Sequence, residues 1–189
     1  MTTRTLSTAE ITRLIALIRS HRHTERDLIL IRLPLETGLR LAEVAGLDWT
    51  DILSVHEDIL SSFPLRAAIA KRGKPATIRL NSSLRADLEA YHQWYTTHHG
   101  ASTGPLLLSR HHRRLSRRQI ERQAAHWLRL AGITGVTYHG LRHTFGCRVL
   151  ARSRDIEATR RLLRHESITT TQIYVAHTSE DALAAAVEF

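Results

Sequence analysis

Two segments, Tyr138-His139-Gly140-Leu141-Arg142-His143-Thr144-Phe145 and Leu163-Arg164-His165-Glu166-Ser167-Ile168-Thr169-Thr170-Thr171-Gln172-Ile173-Tyr174, set the terms for the rest of this 189-residue chain. A histidine three residues before an arginine, then a second histidine, then a tyrosine nine residues on, form a set suited to holding a phosphodiester and attacking it. A tyrosine nucleophile must shed a proton from a phenol whose ordinary pKa is about 10. The non-bridging oxygens gain charge in the transition state, and the leaving oxygen needs a proton. Arginine answers the charge, because its planar fork donates bidentate hydrogen bonds to phosphate and stays cationic. Histidine can exchange the phenolic proton near neutral pH. A guanidinium is a poor proton donor, so the leaving group calls for another residue, and a lysine ammonium is the better acid.

Composition points to a polyanionic partner. The formal charge is +9 with thirteen histidines counted neutral, and all 27 basic residues are arginines except Lys71 and Lys74. Such a balance is the electrostatic footprint of a nucleic-acid binder. Cys147 is the sole cysteine, which excludes an intrachain disulfide and Cys₂His₂ or Cys₄ zinc sites and suits a reducing compartment. Met1 to Glu10 lacks the apolar core of a signal peptide, and no run of 18 apolar residues occurs, so a cytoplasmic, nucleoid-associated protein is expected, neither secreted nor membrane-spanning.

The chain reads as one domain, 1–189, mainly α with a small antiparallel three-stranded β-sheet. Ser7-Thr8-Ala9-Glu10 is a capping box opening a helix with Ile11, Leu14, Ile15 and Ile18 on one face. A second helix spans about 27–36, and Pro34 should kink or end it. Thr37-Gly38 precedes a short helix from about Arg40 to Leu47, with Arg40 and Glu43 sharing a face. Strands are expected near 52–55, 65–70 and 77–80, the last two joined by a turn at Lys71-Arg72-Gly73-Lys74. Ser82 or Ser83 caps the next helix, and Ser116-Arg117-Arg118-Gln119 is a second capping box for a helix stopped by Gly132. Further helices fit roughly 140–152, 155–164 and 168–175, with Ser179 capping a last one to about Val187. Between Arg110 and Arg118 lie five arginines, two histidines and no acid; Arg110, Arg113, Arg114, Arg117 and Arg118 form a candidate duplex-contacting surface.

Taken singly, each group has a plainer reading. Arg142 could serve a surface ion pair, Tyr174 could be a half-buried core tyrosine, and Glu43 could make a routine helix-surface salt bridge with Arg40. His139 and His143, four apart, could pair on a metal, but no third ligand is evident, so no metal site is expected. Joint order is what discriminates.

That order resembles the tyrosine recombinase, or phage integrase, family. Thr37-Gly38-Leu39-Arg40-Leu41-Ala42-Glu43 resembles its first-arginine box, His139 to Phe145 its His-x-x-Arg box, and Leu162 to Tyr174 its histidine-to-tyrosine box. The segment from Lys71 to Leu80 resembles the strand pair carrying the family's lysine, with Lys71 favoured over Lys74 by spacing. The resemblance implies a site-specific DNA recombinase that cleaves and rejoins DNA through a 3′-phosphotyrosyl link. Tyr174 would be the nucleophile, Arg40 and Arg142 would hold the phosphate, and His139 would exchange protons with the tyrosine. His165 would bind the phosphate or brace the site, Lys71 would protonate the leaving 5′-oxygen, and Glu43 would orient its neighbours. No cofactor or metal is implied. The implied partner is double-stranded DNA with inverted-repeat sites, bound by a tetramer, with a possible accessory DNA-binding protein and no membrane. Residues 179–189 would dock on a neighbouring subunit, the alternative being a tail that docks on its own subunit. Arg164 and Gly140 depart from the family's usual glycine and polar residue. With about six residues ahead of its first helix, the chain is expected to lack the N-terminal core-binding domain and resembles short recombinases of the fimbrial phase-variation type, or else a catalytic domain cut from a longer parent. The alternatives are a type IB topoisomerase-like activity without synapsis and a catalytically idle DNA-binding relic of a mobile element.

Overall fold

A computed structural model describes residues 4–22, 24–165 and 171. Its eight helices and two strands within that range are α1 (Thr8–Arg19), α2 (Glu25–Thr37), α3 (Leu41–Gly46), α4 (Trp49–Ile52), β1 (Ser62–Leu65), β2 (Ala76–Arg79), α5 (Ser82–His99), α6 (Arg117–Leu130), α7 (Tyr138–Ser153) and α8 (Ile156–Leu163). The helices expected at 168–175 and after Ser179 lie outside the described residues.

Helix α2 is the axis of the core. Leu28, Ile29, Leu30, Ile31, Leu33 and Leu35 are all buried, and apolar residues on every side of a helix require neighbours on every side. It packs against α5, α7, α1, α6 and α3. Each fully buried Leu or Ile contributes about 1.5–3 kcal/mol relative to exposure, enough to hold α2 together despite Pro34. The helix runs through that proline to Thr37 rather than ending at it. Pro34 deprives the Leu30 carbonyl of its usual donor; the Tyr138 hydroxyl donates to that carbonyl instead, at 3.2 Å. The interruption in α2 thus becomes a joint with α7. Two charges are buried on the same helix: Asp27 accepts from Trp127 Nε1 at 2.9 Å, and Arg32 donates to Asp87 and to the Ser83 carbonyl. Both link α2 to other helices, and neither was legible from periodicity.

At the N-terminus the capping box forms as expected: Ser7 Oγ accepts the Glu10 N–H at 3.2 Å, and Glu10 Oε2 accepts the Ser7 N–H at 2.9 Å. Ile11, Leu14 and Ile18 face inward. Ser116 and Gln119 form the second box. Helix α5 is capped by Asn81, one residue before the serines expected to do so, its side chain accepting the Leu84 N–H at 2.8 Å.

The sheet has two strands among the described residues, not three. Strands β1 and β2 pair antiparallel with Ser62 opposite Arg79 and Leu65 opposite Ala76. The segment expected as a first strand instead closes α4 at Ile52, and only a single bridge joins Leu53 to Ile59. The reason is local: Asp51, the third residue of α4, accepts the Asp48 N–H at 2.8 Å and starts a helical turn. Residues 66–70 leave the sheet as turns, so Lys71 begins a short 3₁₀ turn, Lys71–Gly73, within a longer connection rather than sitting on a tight hairpin.

Gly38 ends α2 with φ +63, a left-handed conformation that a side chain disfavours. Space forbids a substituent as well, because a Cβ there would lie 2.6 Å from Phe145 Cδ1. Phe145 belongs to a small apolar cluster with Leu150, Cys147, Ile156 and Leu163 that locks α7 to α8. Gly38→Ala is therefore expected to destabilise the fold by about 2–4 kcal/mol, backbone strain plus overpacking. Urea unfolding measures this, and a loss under about 0.5 kcal/mol, the range of neutral surface changes, would contradict it.

Candidate active site

Chain turns, not helix bodies, bring the charged groups together. Gly38 reverses the backbone after α2, so Arg40 becomes the extended N-cap of α3. Glu43, one turn in, reaches back: Oε2 accepts the Arg40 backbone N–H at 2.7 Å, and Oε1 accepts Arg40 Nη1 at 2.9 Å. The expected Arg40–Glu43 pair is thus present, but Glu43 is 1% exposed, which makes it an internal anchor rather than a surface bridge. Arg40 Nη2 donates to the Arg164 carbonyl at 3.0 Å. From α7, Arg142 is buried and donates to the Gly38 carbonyl through Nη1 and to the Leu163 carbonyl through Nη2, at 2.5 Å. Residues from three distant parts of the sequence are pinned to one another through backbone carbonyls.

Arg164 occupies the left-handed position after α8, φ 57. Its Nη2 donates to Glu43 Oε2 at 2.8 Å and to the Gly38 carbonyl at 3.1 Å. Sequence reasoning took this residue as a tolerated departure; nothing in its spacing marked it as part of the site. Thr171, buried, was also missed, and its hydroxyl lies 3.0 Å from His165 Nδ1.

Electrostatics follow from this crowding of guanidinium groups. Burial and the positive charges of Arg142, Arg40 and Arg164 push the His165 imidazole down to about 4. Partial burial, Arg142 and Arg40 likewise lower His139, in the first turn of α7. Both rings are disfavoured as cations, since they would add charge to a cationic cluster. A neutral His139 can accept a proton. For Glu43, burial pushes the carboxyl up, but Arg164 and the Arg40 hydrogen bonds and charge outweigh it and hold the group below its ordinary value.

Beside the cluster opens a groove of about 680 Å³, whose lining includes Arg40, Lys71, Lys74, Arg160, Arg161 and His165. Lys71 and Lys74 both line it, so the geometry does not separate the two where the spacing favours Lys71. Arginines on two helical elements with a lysine-bearing loop opposite make a site for a phosphate in a polyanion. Tyr174 lies outside the described residues.

The arginine-rich segment 110–118 divides. Arg113, Arg117 and Arg118 are exposed. Arg110 borders a second, smaller groove with Arg26 and Arg122, of about 400 Å³. Arg114 is exposed as well but tied down, donating to Asp48 and to the Ala45 and Leu47 carbonyls at 3.0 and 2.9 Å, which suits it to bracing α3 more than to meeting a ligand. Arg122 was not picked out from the sequence; it extends the basic surface along α6.

The domain is mainly helical, and two lysines, His165 and the arginines Arg40, Arg160, Arg161 and Arg164 line one groove. Residues 4–181 match the phage integrase family, and the chain belongs to it. It is similar to tyrosine recombinase XerC of Neisseria meningitidis serogroup B, 34% identical over 151 residues, covering 79% of this chain and 47% of that protein. It is 33% identical over 159 residues to XerC of Pelobacter propionicus, covering 84% and 49% respectively. The crystal structure of XerA recombinase matches the whole chain and 67% of its own, with a TM-score of 0.80 at 25% identity. The fold is also shared, at 18% identity and a TM-score of 0.78 over 98% of this chain and 53% of the other, with XerH site-specific recombinase bound to palindromic difH substrate in a post-cleavage complex. The chain spans about half the length of the curated relatives it matches.

Proposed function

We propose that this domain cleaves and rejoins DNA as a site-specific recombinase, with Tyr174 as its nucleophile. The observation that carries the reading is a groove lined by Arg40, His165 and the Lys71 loop, with Arg142 tied to the Gly38 carbonyl behind it and His139 close enough for the charges of Arg142 and Arg40 to act on its ring. In the proposed step the Tyr174 oxygen bonds to phosphorus while the bond from phosphorus to the 5′-oxygen breaks. His139 takes the phenolic proton, and Lys71, or Lys74 from the same loop, supplies one to the leaving oxygen. Arg40 and Arg142 stabilise charge on the non-bridging oxygens. Rejoining reverses the step with a new 5′-hydroxyl, so the phosphodiester energy is kept in the 3′-phosphotyrosyl bond and no cofactor is called for.

The partner we propose is double-stranded DNA with inverted-repeat sites, in keeping with the palindromic substrate of the XerH complex. We further propose a tetramer on that DNA, linked through residues 179–189, with Arg110, Arg113, Arg117 and Arg118 gripping backbone phosphates. One domain over 1–189, acting in the cytoplasm at the nucleoid, completes the reading. Among the described residues no helix is long and apolar enough to cross a membrane.

The test is a suicide duplex, nicked near the cleavage point and carrying either an inverted repeat from beside the gene or a site selected by the protein from a random library. A covalent protein–DNA adduct is expected with the unaltered protein and none with Tyr174→Phe. Absence of a Tyr174-dependent adduct on both kinds of site would overturn the enzymatic reading. Relaxation of supercoiled plasmid with adducts but no strand exchange would assign topoisomerase-like activity instead.

A further inference from the structure

Arg164 stands in a place that a glycine would fill at lower cost. The Arg164 N–H donates to the Arg161 carbonyl and the His165 N–H to the Arg160 carbonyl, both at 3.0 Å, which is the paired closure of a helix by a left-handed residue. Glycine is favoured there because it has no Cβ to crowd the following carbonyl. An arginine holding φ 57 at this point carries strain, and strain retained at a site invites a functional explanation. Its side chain is also costly to place: it is 15% exposed, and its Nε is buried without a hydrogen-bond partner among the described residues.

What the side chain does is specific. Glu43 lies between two guanidinium groups, Arg40 on Oε1 and Arg164 on Oε2. The Arg164 carbonyl in turn accepts from Arg40 Nη2. One residue therefore holds Arg40 twice, directly through its backbone and indirectly through Glu43, and it shares the Gly38 carbonyl with Arg142.

We infer that Arg164 is a positioning residue of the cleavage site: laid across Glu43 and the Gly38 carbonyl, it sets the Arg40 guanidinium toward the groove and adds a third guanidinium to the cluster. This rests on the recombinase reading above. It gives the left-handed arginine a purpose that helix closure alone does not. With Arg164 removed, Glu43 Oε2 keeps only the Arg40 backbone N–H, and the carboxylate that holds Arg40 Nη1 loses the cation that fixes its other side. The His165 ring would also lose one of the charges around it; those that remain are Arg142 and His139 on α7 and Arg40 on α3.

The experiment compares Arg164→Gly, Arg164→Met and Arg164→Lys. Glycine relieves the backbone, so it is expected to fold with a melting temperature close to that of the unaltered protein; methionine keeps side-chain bulk without charge. Both are expected to slow single-turnover adduct formation on the suicide duplex by about 10- to 100-fold, the range seen when a supporting contact behind a reactive group is lost. Lysine is expected to recover part of the rate. In DNA-free protein, the NMR titration midpoint of His165 should rise from about 4 in the glycine and methionine variants. Cleavage at the unaltered rate by Arg164→Gly, with an unmoved His165 midpoint, overturns the inference. If the unaltered protein forms no adduct, the recombinase reading fails by itself; the imidazole titration then decides, a rise upholding the place of Arg164 in the cluster and an unmoved midpoint removing it.

Discussion

Arg142→Gln is expected to lower the rate of covalent adduct formation by roughly 10²- to 10³-fold, the loss typical of one preorganised donor to a developing oxyanion. Burial is the reason for so large an effect: at 3% exposure and fixed by the Gly38 and Leu163 carbonyls, the guanidinium is oriented before any phosphate arrives. DNA affinity should fall much less, because sequence-independent binding is spread over many arginine–phosphate contacts. Stability should fall by only about 1 kcal/mol, the lower end of the cost of a buried unpaired carbonyl, since the Gly38 carbonyl keeps its bond from Arg164. Arg142→Lys keeps charge but not the two-pronged geometry, and an intermediate rate is expected. Single-turnover kinetics beside filter binding would separate these quantities. Cleavage within tenfold of the unaltered rate in Arg142→Gln would remove Arg142 from the phosphate site.

The second large effect concerns Glu43. Glu43→Leu leaves the Arg40 and Arg164 guanidiniums facing each other without a counter-charge, and breaking a buried pair from one side costs about 3–5 kcal/mol. Glu43→Gln is gentler and exposes the pH dependence. In the folded chain the carboxyl sits below its ordinary value of 4.5, so the stability it contributes is complete above about that pH and is lost as pH falls through the folded value. His165 acts earlier. Its imidazole is depressed from 6.5 to about 4, so the unfolded chain takes up a proton first, and stability declines from about pH 6.5 down to about 4 before levelling. Urea midpoints across pH 7.5, 5.5 and 3.5 should therefore fall in two stages. Glu43→Gln should retain the upper stage and shrink the lower one. It should not abolish the lower stage, because Glu10 is also held low, by the Ser7 N–H and then Arg4, and Glu157 by Arg160 and Arg161. A Glu43→Gln protein as acid-sensitive below pH 4.5 as the unaltered chain would show that Glu43 is not the anchor.

Much of this molecule is legible without coordinates where the cause is local. Capping boxes at Ser7 and Ser116 act within one turn, and the apolar spacing of Ile11, Leu14 and Ile18 expresses helix geometry directly. Arg40, His139, Arg142 and His165 stand in an order and spacing that resemble those of the family to which the chain belongs, and in the fold the charges of Arg40 and Arg142 act on both imidazoles. Elsewhere the sequence misled or was silent, through a local competitor in one case and through distant partners in the others. Ile52 to Val55 has the composition of a strand, yet Asp51 closes a helical turn on Asp48 and the segment never joins the sheet. Pro34 looked like a terminus because the donor that satisfies the Leu30 carbonyl comes from Tyr138, more than a hundred residues away. Arg114 looked like its neighbours in a basic run until Asp48 claimed it.

By itself, then, the sequence determined most of the helices, the caps at Ser7 and Ser116 and a set of candidate reacting groups, since backbone capping, helical periodicity and side-chain chemistry are properties of neighbouring residues. Only the tertiary structure decided what orients those groups. Glu43 between Arg40 and Arg164, and Arg142 on the Gly38 and Leu163 carbonyls, join three separated chain segments, and an interaction of that kind depends on where the backbone goes, which no single segment encodes.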